Sequence, residues 1–283
     1  MKKLKRIVVG VDILAKSDNV LKRALMTAKE NKAELLIVHA VQTPWFSVPN
    51  FFGGKEIKID IKGIAKKIEK KVKRFNKDNK VPCYIMVREG DADDILLYES
   101  KLFKADMLVI GASTKRKKKF LGTTAEKIAH KSHLPMLVVK NSAKELYKNI
   151  VAPTDMQTQS KQSILFAKNI FKTAKLNVVH VSGLPYMGGP TLLSPNYEQY
   201  NKDAKEYAQK ELESFMQDIS IKKGKLIDGK ADSKRVLLGY INKGSYDLIV
   251  VGSRGTSGFK ALIGSVASTI LRETTTDVLV YVP

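Results

Sequence analysis

The sequence predicts an α/β protein of two doubly wound domains, each with a five-stranded parallel sheet and helices on both faces. Short runs rich in Val, Ile and Leu alternate with longer segments whose apolar residues recur every three or four positions, the pattern of strands alternating with helices. The apolar runs are nearly continuous, as strands buried on both faces of a parallel sheet require. A repeat within the chain predicts that this arrangement occurs twice.

The repeat rests on four landmarks of the first half that recur about 141–143 residues later. A strand-like run ends in aspartate, a second ends in histidine and a small or apolar residue, a third ends in glycine after an acidic start, and a fourth is apolar throughout. The matched pairs are 5–12 with 148–155, 35–40 with 177–181, 105–111 with 246–252, and 134–139 with 277–281. We therefore predict domains at 1–141 and 147–283, joined by a short polar linker.

In the first unit, each strand prediction is an apolar run and each helix prediction an amphipathic segment. The segment from Ile57 to Phe75 is the most regular of these, with apolar residues at steps of three and four and lysines on its other faces. The predicted strands are 5–11, 34–40, 82–88, 106–111 and 135–140, and the predicted helices are 18–31, 57–76, 92–104 and 123–132.

The second unit repeats this alternation. Its predicted strands are 149–154, 176–181, 220–227, 247–252 and 277–282, and its predicted helices are 159–174, 195–218, 231–244 and 264–273. Two less regular stretches, 42–54 and 182–193, follow the second strand of each unit and carry Pro and Gly, which predicts loops.

The charge is strongly basic and uneven. The chain of 283 residues has a formal net charge of +22. Residues 1–150 hold 33 basic and 16 acidic residues, or +17, and the remainder hold 17 and 12, or +5. Such a surplus attracts phosphate-rich partners. The densest lysines, however, lie on the polar faces of a predicted helix, which favours a solvated surface over a nucleic-acid site.

Several protein classes are excluded by composition. Cys83 is the single cysteine, so there is no intramolecular disulfide framework and no cysteine-rich metal cluster, and its apolar strand predicts a core position. No window approaches the roughly 20 apolar residues of a membrane span. The basic start is followed by only five apolar residues, 7–11, too few for a signal peptide. We expect a cytoplasmic protein without a membrane partner.

The second unit carries a candidate phosphate site where its first and fourth strands end. In open parallel sheets, ligands bind beyond the carboxyl ends of the strands, where the strand order reverses. Asp155 follows the first strand and can accept hydrogen bonds from ribose hydroxyls. A glycine-rich run from Gly252 follows the fourth strand and leads to Gly264 and Ser265, the start of a helix whose free N–H groups suit an anion. Arg254 adds a cation. An ordinary glycine-rich turn with a helix cap accounts for the same pattern equally well.

Each unit resembles the universal stress protein family, whose ATP-binding members have an aspartate after the first strand and a Gly–two residues–Gly–nine residues–Gly–Ser/Thr pattern. The resemblance covers nearly the whole chain, twice. It implies a strand order of 3-2-1-4-5, adenine contact near the backbone of Val181, ribose contact by Asp155, and phosphate contacts by the glycines and Ser265. The positions that match the pattern are Pro153, Thr154, Asp155, Val181, Val251, Gly252, Gly255, Gly264, Ser265 and Val266. The loop is one residue short, with eight residues between Gly255 and Gly264.

The resemblance also implies that the two units pair through their fifth strands as a pseudo-twofold dimer within one chain. Both of these strands, 136–139 and 278–282, are apolar and end a predicted sheet, where unpaired backbone groups need a cover. A further homodimer is left open by the sequence.

The first unit departs further from the family pattern. Gly111 and the pair Gly122–Thr123 remain, but Thr114 stands where the second glycine belongs. The basic run 115–119 supplies charge without a preformed cradle, and Phe120 is the single aromatic residue beside it. We therefore predict one nucleotide site per chain, in the second unit.

Catalytic and metal chemistry find little support in the sequence. Neither glycine loop supplies the lysine of a P-loop, and no nucleophile, base and orienting group stand at suitable spacing. His39 and His180 occupy matching strand positions without nearby acidic or cysteine ligands, which predicts a structural role.

Three functions follow from these observations. The first is a stress protein that binds an adenine nucleotide, either without catalysis or with at most weak ATPase activity. ATP is the expected ligand, ADP and AMP are alternatives, and Mg²⁺ can accompany the nucleotide. The second is an interaction module of the same family that binds no nucleotide, favoured by the short glycine loop. The third, a nucleic-acid-associated protein, rests on the charge of the first half alone.

Overall fold

The computed structural model describes residues 3–13, 17–41, 59–112, 123–182, 197–229, 232–253 and 263–283. The chain divides into two compact units, Met1–Leu146 and Tyr147–Pro283. In its described part, each unit has five parallel strands and four helices, and this confirms the predicted fold class.

Unit one has the strand order β3-β2-β1-β4-β5. Its central strand β1 pairs in parallel with β2 on one side and β4 on the other, so the winding direction reverses between β1 and β4. The strands are β1 (Arg6–Gly10), β2 (Glu34–Val41), β3 (Cys83–Glu89), β4 (Met107–Gly111) and β5 (Met136–Val139), and the helices are α1 (Asp18–Asn31), α2 (Ile61–Asn76), α3 (Ala92–Leu102) and α4 (Thr123–Lys131).

Unit two repeats this order as β8-β7-β6-β9-β10. Its central strand β6 pairs with β7 and β9, which places the reversal between β6 and β9. The strands are β6 (Asn149–Pro153), β7 (Lys175–Ser182), β8 (Gly224–Asp228), β9 (Leu248–Gly252) and β10 (Asp277–Tyr281), and the helices are α5 (Thr158–Ile170), α6 (Tyr197–Asp218), α7 (Ser233–Lys243) and α8 (Ser265–Glu273).

The central strands of both units are buried on both faces, as their continuous apolar sequence predicts. Three consecutive residues of β1, 7–9, and three of β6, 150–152, have no measurable solvent exposure. No helix within the described ranges is long and apolar enough to cross a membrane.

Helix α2 keeps the predicted apolar stripe but begins later than predicted. Ile68 and Val72 are buried, whereas Ile61 is 37% exposed at the first turn. The helix begins at Ile61 because the side chain of Asp60 accepts a hydrogen bond from the Gly63 amide, 2.8 Å away, and so caps the first turn. Residue 57 lies outside the described ranges, as does most of the two predicted loops, 42–54 and 182–193.

Three predicted boundaries in unit two are wrong. Strand β8 begins at Gly224 rather than at residue 220, because Ser220 has a φ of +51° and the Ile221 amide donates to the Met216 carbonyl, which closes the end of α6. Helix α5 ends at Ile170 rather than at 174, because Phe171 leaves the helical conformation with φ −113° and ψ 70°. Ser182 belongs to β7 rather than to the loop predicted there.

A buried polar pair joins the first residue of unit two to its last strand. The Tyr147 hydroxyl donates a 2.7 Å hydrogen bond to Oδ2 of Asp277, and both residues are buried. The Tyr147 ring also packs edge-on against Phe171, with 5.1 Å between ring centroids. A buried carboxylate depends on such donors, since an unsatisfied buried acceptor costs about 1–3 kcal/mol or more when charged.

Candidate functional site

Unit two contains a cavity of about 260 Å³ at the carboxyl ends of β6 and β9, where the strand order reverses. The parallel register brings the ends of these strands and of β7 to one edge, and the first turns of α5, α7 and α8 complete the wall. Most of the predicted site residues line it. They are Pro153, Thr154, Asp155, Val181, Val251, Gly252, Gly264 and Val266.

Three predicted site residues are not among the described residues that line the cavity. Ser265 opens helix α8 as predicted, but it is exposed and does not line the cavity. Arg254 and Gly255 lie outside the described residues, as do Thr114, the basic run 115–119 and Gly122.

Asp155 is held in place through one of its two carboxylate oxygens. Oδ1 accepts hydrogen bonds from the Gln157 amide at 3.1 Å and from the Ser160 hydroxyl at 2.8 Å. The Thr154 hydroxyl lies 2.8 Å from that of Ser160 and accepts from the Met156 amide at 2.8 Å. Among the described residues Oδ2 has no partner, so the carboxylate is fixed at one oxygen and able to accept at the other.

His180 fixes the backbone from which Asp155 projects. Its Nδ1 lies 2.8 Å from the Thr154 carbonyl oxygen, and because a carbonyl only accepts, Nδ1 carries the proton. His39 makes the same bond to Val11, one residue before Asp12, also at 2.8 Å. These contacts give both histidines the structural role that the sequence predicted. No group of three or more His, Cys, Asp or Glu side chains in the described ranges is arranged to hold a metal ion.

Gly252 leaves room that the protein itself does not fill. Its φ is not positive, and a Cβ added there would meet the Gln159 carbonyl oxygen at 3.4 Å, an ordinary contact. Neither backbone conformation nor packing therefore requires glycine at this position. The absence of a side chain keeps the end of β9 open to the cavity.

Gly264 and the first turn of α8 form the opposite wall. Gly264 is buried, has φ −62° and ψ 155°, and stands at the N-cap without any side-chain cap. Glycine has no side chain that could accept from the first amides of this nine-residue helix, so its N-cap residue leaves them uncapped. An anion in the cavity can supply an acceptor.

The sequence analysis did not assign several polar residues of the cavity wall to the site, and three of them bear on its chemistry. Ser253 follows Gly252, is 3% exposed, and its Oγ has no hydrogen-bond partner in the described structure. Ser160 comes from α5 and Lys234 from the first turn of α7. The position of Ser253 inside the glycine run was a usable signal. The other two are brought to the cavity by helices that carry no motif.

The corresponding place in unit one is built differently. Asp12 follows β1 as predicted, and Gly111 ends β4, but a Cβ at Gly111 would come within 2.9 Å of the Val20 side chain. On α3, Asp93 is buried and paired with Lys131 of α4, with 2.8 Å between Oδ2 and Nζ. Burial alone would raise the pKa of Asp93, but the hydrogen bond and charge of Lys131, with Lys127 nearby, hold it below the usual value.

Cys83 is half-buried at the edge strand β3 rather than in the core, because no strand covers the outer edge of β3 in unit one. Its Sγ lies 3.3 Å from the Val81 carbonyl oxygen and 3.6 Å from Nδ2 of Asn76. Burial raises the pKa of the thiol to about 11.

We expect Cys83 to react about 100-fold more slowly with a disulfide reagent at pH 8 than the same cysteine in the unfolded chain. The reactive species is the thiolate, and its population falls about tenfold for each unit by which the pKa rises. Stopped-flow measurement in buffer and in guanidinium chloride tests this. Equal rates would contradict the burial of the thiol.

The fold defines a duplicated doubly wound α/β protein, with a cavity at the carboxyl edge of the sheet in its second unit. The sequence model of the Universal stress protein family matches residues 3–140 and again 146–282. The chain therefore belongs to the universal stress protein family and carries two copies of its domain in tandem.

Individual relatives agree with this membership. A universal stress protein of Methanocaldococcus jannaschii is 31% identical over 145 residues, which are 50% of this chain and 85% of the relative. Universal stress protein A homolog 1 of Coxiella burnetii is 31% identical over 139 residues, 47% of this chain and 94% of the relative. A solved universal stress protein from Archaeoglobus fulgidus has the same fold over 99% of both chains, with a TM-score of 0.66 at 16% identity.

Proposed function

We propose that unit two binds an adenine nucleotide in the cavity at the ends of β6 and β9 and holds it without cleaving it. ATP is the proposed ligand, with ADP and AMP as alternatives. The observation that carries this proposal is one cavity that combines a free carboxylate oxygen, two glycines and an uncapped helix start. Its volume of about 260 Å³ is just below the range of about 300–1,000 Å³ usual for small-ligand sites.

Each part of the cavity suits one part of the nucleotide. Oδ2 of Asp155 can accept from the ribose hydroxyls, since Oδ1 is already bound to Gln157 and Ser160. The first amides of α8 and the open backbone at Gly252 can contact phosphate oxygens. The adenine would lie at the end of β7 near Val181, as the family resemblance implies. The buried hydroxyl of Ser253 would gain the partner that it lacks.

The described wall favours binding over hydrolysis. His180 donates from Nδ1 to the Thr154 carbonyl, and the Ser160 hydroxyl contacts Thr154, Asp155 and the Gln157 carbonyl at the start of α5. Within the described wall, therefore, no serine is paired with the histidine as a nucleophile with its base. Asp155 is the single carboxylate among the described lining residues. Mg²⁺ would therefore arrive as a companion of the phosphates rather than in a site built by the protein.

Nucleotide binding is tested on freshly purified full-length protein. Native mass spectrometry should detect one co-purified ATP or ADP per chain, and calorimetry of the stripped protein with ATP should give one site per chain. Neither an adduct nor heat of binding would leave the nucleotide-free interaction module as the function. A steep loss of DNA or RNA association with rising salt would instead support a nucleic-acid partner.

A pair of glycine variants separates the ligand site from the fold. Gly252→Ala should weaken ATP binding at an unchanged melting temperature, since Gly252 lines the cavity and an added Cβ meets only ordinary contacts in the protein. Gly239→Ala, on α7, is the matched control, because an added Cβ there meets nothing within 4 Å. Equal ATP affinities in both variants would contradict the proposed role of Gly252.

A further inference from the structure

The two units carry opposite charges at one equivalent position. Helices α3 and α7 occupy the same place in their units, each following the third strand and each beginning at the carboxyl edge of the sheet. The second residue of α3 is Asp93, and the second residue of α7 is Lys234. Asp93 is 4% exposed, whereas Lys234 is exposed and lines the cavity.

In unit one the charge of Asp93 is neutralised by lysines of the same unit. Lys131 of α4 approaches Oδ2 of Asp93 to 2.8 Å, and Lys127 approaches Oδ1 to 3.7 Å. A carboxylate in the first turn of a helix is also stabilised by the helix dipole. Lys127 and Lys131 are thus already engaged by Asp93 and are not available to an incoming anion.

In unit two the same position has an uncompensated cation. Lys234 makes no ion pair or hydrogen bond with any residue that the structure describes, and a cation in the first turn of a helix is opposed by the dipole. Two acidic residues of this region already have partners: Asp232 caps α7 by accepting from the Arg235 amide at 3.0 Å, and Asp155 of the cavity wall accepts through Oδ1. The start of α8, a second positive helix end, faces the same cavity.

We propose that Lys234 is the cation that recognises the phosphate group of the ligand, and that Asp93 closes the equivalent place in unit one to anions. This inference rests on the proposed nucleotide site and adds to it the residue that distinguishes a nucleotide from its uncharged nucleoside. A lysine and two helix starts converge on the cavity, and an anionic ligand neutralises all three. Because all three groups are positive, they attract the negatively charged phosphate rather than the uncharged base or sugar.

The test compares ATP, AMP and adenosine by calorimetry in the parent protein and in Lys234→Gln. We expect the affinity for ATP to fall about tenfold in the variant. The affinity for adenosine should stay within about twofold of the parent value, because adenosine has no charged group for Lys234 to bind. The affinity of the parent for ATP should also fall more steeply with salt than that of the variant. Lys234→Arg retains the charge and should retain most of the affinity for ATP.

Lys243→Gln is the matched control, because Lys243 is an exposed lysine in the last turn of the same helix and lies away from the cavity. It should leave all three affinities unchanged. An unchanged affinity for ATP in Lys234→Gln, or an equal loss for adenosine, would overturn this inference while leaving the proposed function intact. Failure of the parent to bind any of the three ligands would overturn the proposed function and the inference with it.

Discussion

Gly264→Val is expected to abolish nucleotide binding while the protein stays folded. Gly264 is buried against the cavity at the start of α8, and its φ of −62° and ψ of 155° are open to valine. The added side chain would occupy the space through which a phosphate reaches the first amides of the helix. Two hydrogen bonds to a charged group, at about 1.5–3 kcal/mol each, correspond to a loss of affinity of about 100-fold or more.

The matched variant is Gly122→Val, at the equivalent position in the sequence of unit one. It should leave binding nearly intact, because Thr114 already replaces the second glycine of the family pattern in that unit. Calorimetry with ATP measures both variants, and circular dichroism checks that they are folded. Two equivalent sites in the parent, or loss of binding with Gly122→Val alone, would assign the nucleotide to unit one.

Tyr147→Phe is expected to destabilise unit two by about 1–3 kcal/mol. The substitution removes the hydroxyl that donates to Asp277 at 2.7 Å and leaves a buried carboxylate with one donor fewer. Urea denaturation should show the change in the transition that belongs to unit two, since two domains need not unfold together.

Tyr207→Phe provides the control for this prediction. It makes the same chemical change on a ring that is 67% exposed in α6, where the free energy of unfolding should change by less than about 0.5 kcal/mol. In an Asp277→Ala background, Tyr147→Phe should cost less than in the parent, because the hydroxyl has lost its acceptor. Additive effects would show that the hydroxyl contributes independently of Asp277, and would contradict the hydrogen bond as the cause of the stabilisation.

The fold could be predicted because three features of the sequence indicate the same architecture. They are the internal repeat, the alternation of strand-like and helix-like segments, and the continuous apolar runs typical of buried strands. Helix α1 has the predicted bounds, 18–31, and each predicted strand overlaps an observed one. The start of β8 was mispredicted because Ile219 and Ile221 imitate a strand, whereas the left-handed turn at Ser220 depends on hydrogen bonds to the end of α6. The spacing of apolar residues alone does not distinguish an isoleucine-rich helix end from the start of a strand.

The candidate site was predictable where it depends on strand ends and glycines, and less so where helices contribute. Asp155, Gly252 and Gly264 each follow or precede a recognisable element, so their meeting at one edge follows from the parallel sheet. Lys234 stands in an unremarkable amphipathic segment. Its position on the cavity wall depends on how α7 begins, which the sequence pattern located only to within two residues.

The paired histidines give each unit its own spectroscopic reporter. His39 and His180 each donate from Nδ1 to a backbone carbonyl, so the same ring nitrogen is engaged in both units. Of the four histidines in the chain, His180 lines the cavity of unit two and His39 occupies the matching position in unit one. Their nitrogen resonances can therefore be followed side by side in a single NMR sample, one ring as the signal of an arriving ligand and the other as its internal reference.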